Sequence, residues 1–177
     1  METFWELGYE GASTAVLVER LGIGRSSLYA AFGSKDELYA EAMDHYIGDL
    51  RVRVIGKLQA QGPAMDVLEE FFLGVAERGA DGEPLRCCMV VRASLSGADQ
   101  SPEIRVRVKK AIGELDDAFH HLLQRARKEG TLGDGAKLRD SARFLTTTFQ
   151  ALNVAALAGR DRRELRAIIR KALAALE

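Results

Sequence analysis

The chain has few of the features that mark secreted, disulfide-bonded or membrane-spanning proteins. It contains only 2 cysteines in 177 residues, and these are the neighbours Cys87 and Cys88. Disulfide geometry is hard to satisfy across one peptide bond, so a disulfide framework is excluded. No apolar run approaches the roughly 18 residues of a membrane span, and no basic and apolar leader follows Met1. We therefore expect a cytoplasmic protein with no membrane partner.

Motifs for catalysis, metal binding and phosphate binding are also missing. There is no Gly-rich phosphate loop, no nucleophile motif and no cluster with metal-ligand spacing. His120 and His121 are adjacent, and adjacent side chains diverge on a helix. The sequence therefore predicts a protein that is not an enzyme and that needs no cofactor or metal.

Proline is scarce, with 3 residues, and β-branched runs are few. No segment alternates apolar and polar residues as a half-buried strand does, whereas helical spacing recurs throughout. The chain is predicted to be all-α, with a three-helix head at residues 1–45 and a helical bundle at residues 46–177.

The charge is distributed unevenly, although the net charge is only −1. Residues 1–50 carry three basic and nine acidic residues, a net charge of −6, and residues 51–177 carry a net charge of +5. A head of negative charge is unexpected for binding to nucleic acid, because attraction to phosphates supplies much of the affinity.

The segment from Ser13 to Lys35 nevertheless has the pattern of a helix-turn-helix. Two short helical stretches flank Gly22, a residue suited to a tight turn. The second stretch has small and polar residues on one side, including Arg25, Ser26 and Ser27. In a helix-turn-helix such a helix enters the major groove of DNA.

Helix boundaries follow from caps and glycines along the rest of the chain. The first helix begins at Met1 without a cap and ends at Gly8, so we expect it to be the end of a longer helix. A capping box at Ser34 predicts a helix that extends to about Lys57. Further helices are expected at about 63–79, 87–95, 102–130 and 136–158, and after Asp161.

The run from Gly8 to Leu38 resembles the DNA-binding head of the TetR family of bacterial repressors. The residues that match the spacing of this family are Gly8, Tyr9, Gly22, Leu28, Tyr29, Phe32 and Lys35. Ala12 and Gly24 depart from it, since the family usually has Thr or Ser at both positions. The resemblance covers about residues 2–45 and implies a ligand-responsive repressor that a small-molecule effector releases from a palindromic operator in double-stranded DNA.

The predicted DNA-binding residues are Ser13, Thr14, Arg25, Ser26, Ser27, Tyr29 and Lys35. Arg25 either pairs with a guanine through two hydrogen bonds or binds a phosphate. The resemblance implies that Tyr29 and Lys35 contact phosphates. Alternatively, Tyr29 is a half-buried packing residue, Lys35 is a solvated charge, and Ser13 is only a helix cap.

In the TetR family the body binds an effector and forms a homodimer. Two helical stripes suit such an interface, and the predicted interface residues are Leu145, Phe149, Leu152, Ala156, Leu165, Ile168, Ile169, Ala172 and Leu173. The alternative is that both stripes face the core of their own chain.

The predicted effector-binding residues are Phe71, Phe72, Met89, Phe119, His120, Phe149 and Asn153. Thr146, Gln150 and His121 are further polar candidates. Aromatic and methionine residues at helical spacing are also typical of ordinary core. Cys87 and Cys88 either sense thiol-reactive compounds or are buried small residues. The alternative function is a helical dimer that binds small molecules but not DNA.

Overall fold

A computed structural model describes residues 1–77, 88–95, 101–133 and 137–176. Within these ranges the regular secondary structure is entirely helical. The chain divides into two compact units: unit 1 comprises Met1–Leu50 and Arg86–Ala111, and unit 2 comprises Arg51–Leu85 and Ile112–Glu177.

Four helices form the first fifty residues of unit 1. They are α1 (Glu2–Gly11), α2 (Thr14–Leu21), α3 (Arg25–Phe32) and α4 (Lys35–Leu50). The short helices α2 and α3 bury Leu17 and Leu28, and Phe4 of α1 lies 4.9 Å from Tyr39 of α4 between ring centroids. Because helices of eight residues are marginal on their own, this shared core is what stabilises them.

The ends of these helices confirm the local signals in the sequence. The Ser13 hydroxyl accepts a hydrogen bond from Val16 N–H at 3.3 Å, and Glu37 N–H donates to the Ser34 hydroxyl at 3.1 Å. Gly22 adopts the left-handed conformation, with φ 65° and ψ 27°, and so permits the tight turn between α2 and α3.

Gly8 interrupts α1 rather than ending it. Its backbone has φ 73° and ψ 179°, and helical structure resumes as far as Gly11. This combination of angles is essentially restricted to glycine. A Cβ atom at this position would lie 3.2 Å from Arg92 Nη1, which itself donates to the Glu6 carbonyl at 3.2 Å.

Unit 1 also includes a segment that is distant in sequence from its first four helices. The helix α7 (Met89–Leu95) packs against α1 and α4. The long helix α8 (Pro102–Lys128) begins at Pro102, as predicted, and contributes its residues up to Ala111 to this unit. Cys88 is buried and free, whereas Cys87 lies outside the described residues.

The helix predicted to continue from Ser34 to about Lys57 is not uniform. After α4 the residues Arg51–Ile55 form a π-helical turn, followed by the short helix α5 (Gly56–Leu58). A π turn adds a residue to the helical period. Val54 and Leu58 on this stretch are buried, while Val52 is 77% exposed. The predicted extent, from Ser34 to about Lys57, therefore agrees with the structure, while the π-helical turn within it was not foreseen.

Unit 2 is built from α5, α6 (Ala64–Ala76), the second part of α8, α9 (Leu138–Leu157) and α10 (Arg162–Ala174). Its core contains a cluster of four aromatic rings, those of Phe71, Phe72, Phe119 and Phe149. The ring centroid of Phe71 lies 5.4 Å from those of Phe119 and Phe149. Asp161 begins α10 with the predicted cap, completed as a capping box by Glu164.

Exchange of glycine for alanine at two positions of unit 1 should have opposite effects. Gly8→Ala should lower the free energy of unfolding by about 1–3 kcal/mol, because alanine is strained at this φ and ψ. Gly48→Ala should raise it by up to about 1 kcal/mol, since Gly48 lies inside α4 and an added Cβ atom would have no neighbour within 4 Å. Urea denaturation at one protein concentration measures the free energy of unfolding of both variants. Equal effects of the two substitutions would show that the backbone at Gly8 does not require glycine.

Candidate nucleic-acid interface

The exposed side of α3 consists of small and polar side chains. Arg25, Ser26 and Ser27 are exposed, together with Ala30 and Ala31 further along the helix. Leu28 points the other way and is only 2% exposed. A helix that is anchored on one side and carries small residues on the other can approach a groove of DNA closely.

Thr14, Arg25 and Tyr29 form a cluster at the start of α2 and along α3. The hydroxyl oxygens of Thr14 and Tyr29 are 3.2 Å apart, within hydrogen-bond distance. The guanidinium carbon of Arg25 lies 5.7 Å from the centroid of the Tyr29 ring. Tyr29 is half-buried, which agrees with the packing role that the sequence offered as the alternative to a phosphate contact and leaves the phosphate contact a prediction.

The surroundings of Tyr29 are electropositive. The pKa of its phenol is lowered from 10.0, chiefly by the hydrogen bond with Thr14 and then by hydrogen bonding with Arg25. The charges of Arg25 and Lys35 lower it further. The positive charges of Arg25 and Lys35, which are smaller causes of this shift than the hydrogen bond with Thr14, also attract phosphate oxygens.

Lys35, at the start of α4, lies against the ring of Tyr9, which was not among the site residues predicted from the sequence. Its ammonium lies 4.1 Å from the centroid of the Tyr9 ring, and the Tyr9 hydroxyl donates a hydrogen bond to the Asp36 carboxylate. Burial and this hydrogen bond raise the pKa of Tyr9 to about 12. In the sequence, Gly8 and Tyr9 matched the spacing of the family that the head resembles, but they did not indicate a contact between Tyr9 and Lys35.

The negative charge of residues 1–50 is partly paired within unit 1 and partly offset by basic residues elsewhere in this unit. Glu6 pairs with Arg20 at 2.6 Å, and Asp44 pairs with Arg107 of α8 at 2.9 Å. Residues 86–111, which belong to the same unit, carry six basic and two acidic residues, so the unit has a net charge of −2. The net charge of −6 for residues 1–50 therefore overstates the negative charge of the unit to which they belong.

The predicted interface residues of the body are mostly buried within their own chain. Leu145, Phe149 and Leu152 of α9 are covered, as are Leu165 and Ile169 of α10. Ala156 and Ala172 are buried too, Leu173 is half-buried, and Ile168 is 39% exposed. The burial supports the alternative that most of both stripes faces the core of the same chain.

A neighbouring face of α9 and α10 forms an open apolar groove of about 630 Å³. Its lining residues are Phe144, Thr148, Ala151, Leu152, Ala155, Ala167, Ile168, Lys171, Ala172 and Ala175. Phe144 is 44% exposed, a large fraction for a phenylalanine. Of the predicted interface residues, Leu152, Ile168 and Ala172 line this groove.

The predicted effector-binding residues are not all together. The four phenylalanines form the core of unit 2, whereas Met89 is buried in α7 of unit 1. Asn153 donates to the Phe149 carbonyl at 2.7 Å, and His120 Nε2 lies 3.2 Å from Gln124 Nε2. The Thr146 hydroxyl and His120 Nδ1 are buried without a hydrogen-bond partner in the described part of the chain.

None of the helices in the described ranges is both long and apolar enough to cross a lipid bilayer.

Comparison with known proteins gives consistent matches over most of the chain. A profile described as "Bacterial regulatory proteins, tetR family" matches residues 1–42. The HTH-type transcriptional regulator YezE of Bacillus subtilis is 31% identical over 82% of this chain and 75% of its own length. The repressor ComR of Escherichia coli is 23% identical over 90% of this chain and 76% of its own length.

A solved structure matches almost the whole chain. It is a complex of the TetR family transcriptional regulator CifR with a 26-bp double-strand operator DNA, with 34% sequence identity and a TM-score of 0.86. The match covers 99% of this chain and 92% of the CifR chain. With a helix-turn-helix head joined to a helical body and with relatives of this identity and coverage, the chain belongs to the TetR family of transcriptional regulators.

Proposed function

We propose that this regulator is a homodimeric repressor that binds a palindromic operator through α3 and is released by a small-molecule effector. The observation that carries the DNA-binding part is the exposed side of α3, flanked by Thr14, Tyr29 and Lys35. The complex of CifR with operator DNA, at 34% identity, supports the same use of this head.

The head divides its contacts between bases and phosphates. Arg25 is the first residue of α3, where side chains reach base edges, and Ser26 and Ser27 follow on the exposed side. Thr14, Tyr29 and Lys35 form the flank that contacts phosphates, which fixes the position of α3 on the duplex. Ser13 serves first as the cap of α2.

Substitution of Arg25 and Lys35 should weaken DNA binding in different ways. Arg25→Ala should cost about 1–3 kcal/mol and relax selectivity at one base pair of each half-site, as loss of a base contact does. Lys35→Ala should weaken binding to all sequences alike and reduce the slope of log affinity against log salt by about 1 per head. Fluorescence anisotropy with a set of operator variants at several salt concentrations measures both.

The matched controls are Arg139→Ala and Lys128→Ala, which remove exposed cations from unit 2. They should leave affinity and salt slope within error of the parent. An Arg25→Ala protein with weaker binding but unchanged selectivity would assign Arg25 to a phosphate instead.

The dimer is expected to form through the groove of α9 and α10. An apolar surface around an exposed phenylalanine loses contact with water when a second copy covers it. A two-fold axis through this groove would place two helices from each chain side by side. Two heads on one dimer then bind two half-sites that lie on one side of the duplex.

Introduction of a carboxylate into the groove should separate the protomers. Ile168→Glu should raise the dimer dissociation constant at least about 100-fold, because burial of an unpaired charge costs several kcal/mol. Val106→Glu is the control, since Val106 is 66% exposed on α8 and belongs to unit 1. Sedimentation equilibrium measures both; an Ile168→Glu protein that remains as dimeric as the control would exclude this groove.

The effector is expected to bind in unit 2. Thr146 lies on α9 one turn before Phe149 of the aromatic cluster, and it is 2% exposed. Its hydroxyl has no hydrogen-bond partner in the described part of the chain. An unpaired buried hydroxyl is costly, so a ligand that pairs with it gains more than one that is only apolar. Such a ligand is an aromatic or apolar molecule with one hydrogen-bonding group.

A change in unit 2 has a continuous route to the head through α8. Glu114 of α8 pairs with Arg51 at 2.7 Å in unit 2, and Arg107, two turns earlier, pairs with Asp44 of α4 in unit 1. An effector that favours one position of α8 and an operator that favours another would oppose each other, which is the thermodynamic requirement for induction.

A pair of probes tests the hydrogen-bonding requirement. The melting temperature of the parent protein should rise more with 2-naphthol than with 2-methylnaphthalene, because only the former can pair with Thr146. Thr146→Val, which keeps the side-chain shape, should remove the difference between the probes. Thr147→Val, at an exposed site on the same helix, is the control. An unchanged preference in Thr146→Val would exclude this hydroxyl as the contact.

A further inference from the structure

Tyr9 occupies a position between two functional elements of the head. Its ring lies 5.1 Å from the ring of Tyr39 between centroids and 4.1 Å from the Lys35 ammonium. The bend at Gly8 immediately precedes it. The ring therefore packs on the core of unit 1 through Tyr39, and its face meets a cation.

The orientation of the Tyr9 ring is fixed by its hydroxyl. The hydroxyl donates to the carboxylate of Asp36, the residue after Lys35 in α4. Burial and then this bond are the largest causes of the raised pKa of Tyr9; a phenol, whose ordinary pKa is about 10, is a donor at neutral pH in any case. The ring is thus tied to α4 at both its face and its hydroxyl.

The partner of Lys35 is a neutral ring instead of a carboxylate. Among the described residues no acidic side chain forms an ion pair with Lys35. A ring face restricts the flexible lysine stem through a cation–π contact, and it leaves the full positive charge available. A carboxylate in the same place would restrict the stem but also cancel the charge that a phosphate needs.

We propose that Tyr9 is a positioning residue for DNA binding, which holds the Lys35 ammonium in place to meet the phosphate backbone. This inference rests on the proposed function, since it assumes that Lys35 contacts DNA. It assigns a role in binding to a residue that does not touch the DNA itself, and it makes Asp36 the group that keeps the ring oriented.

A double-mutant cycle tests the proposal. Operator affinity is measured for the parent, Tyr9→Leu, Lys35→Ala and the double variant at several salt concentrations. Tyr9→Leu should weaken binding about twofold to fivefold for each head, the range of one exposed cation–π contact. In the Lys35→Ala background the same change should have no further effect, because no ammonium remains to be held.

The outcomes separate the possible roles of Tyr9. If Tyr9→Leu weakens binding by the same factor with and without Lys35, Tyr9 acts only by packing and the proposal is overturned. It is also overturned if Tyr9→Leu leaves the affinity of the parent unchanged. Tyr9→Phe, which retains the ring face, should recover most of the affinity lost in Tyr9→Leu. If the parent itself does not bind operator DNA, the proposed function fails instead.

A second measurement does not require Tyr9→Leu to fold. After reductive methylation with ¹³C-formaldehyde, the dimethylammonium resonance of Lys35, assigned with Lys35→Arg, should be shifted upfield by the Tyr9 ring in the parent. The resonance of the solvent-exposed Lys128 gives the unshifted reference. A Lys35 resonance at the Lys128 position would show that the ammonium does not lie on the ring.

Discussion

The presentation of α3 depends on the burial of one side chain, Leu28, against the neighbouring helices of unit 1. An eight-residue helix cannot maintain itself in water, so its helicity and its orientation come from the same contact. The left-handed turn at Gly22 sets the angle at which the chain enters α3. Once Leu28 is inside, Ser26 and Ser27 have to face away from the core, and Arg25 is exposed as the first residue of the helix. The candidate DNA-binding surface is therefore a consequence of core packing and of one backbone conformation.

Local features of this fold could be predicted from the sequence, because they depend on neighbouring residues. The caps at Ser13, Ser34 and Asp161 are of this kind, since a cap needs only a polar side chain and an amide three residues later. The π-helical turn after α4 could not be predicted by a method that assumes 3.6 residues per turn. The inclusion of residues 86–111 in unit 1 could not be predicted either, because it depends on contacts between residues that are far apart in sequence.

The same limit explains the difference between predicted and observed surfaces on α9 and α10. Helical periodicity identifies an apolar stripe, but it does not say whether the stripe packs on its own chain or on another. In α9 two stripes lie side by side. The one with Leu145 and Phe149 is buried, and the adjacent one with Phe144 and Ala151 lines the open groove. Alanine and threonine dominate the second stripe, so it carries a weaker hydrophobic signal in the sequence than the core beside it.

The electrostatics of the head follow from which partner each charge has, more than from its net charge. Fields of exposed charges decay over about 8–10 Å at physiological salt, and an acidic group beside a cation contributes little beyond that pair. Glu6 and Asp44 both have arginine partners. The two cations expected to meet DNA instead lie on tyrosine rings, Arg25 on Tyr29 and Lys35 on Tyr9. A ring orders a cation without neutralising it, so a unit with a net negative charge still presents positive charge where α3 is exposed.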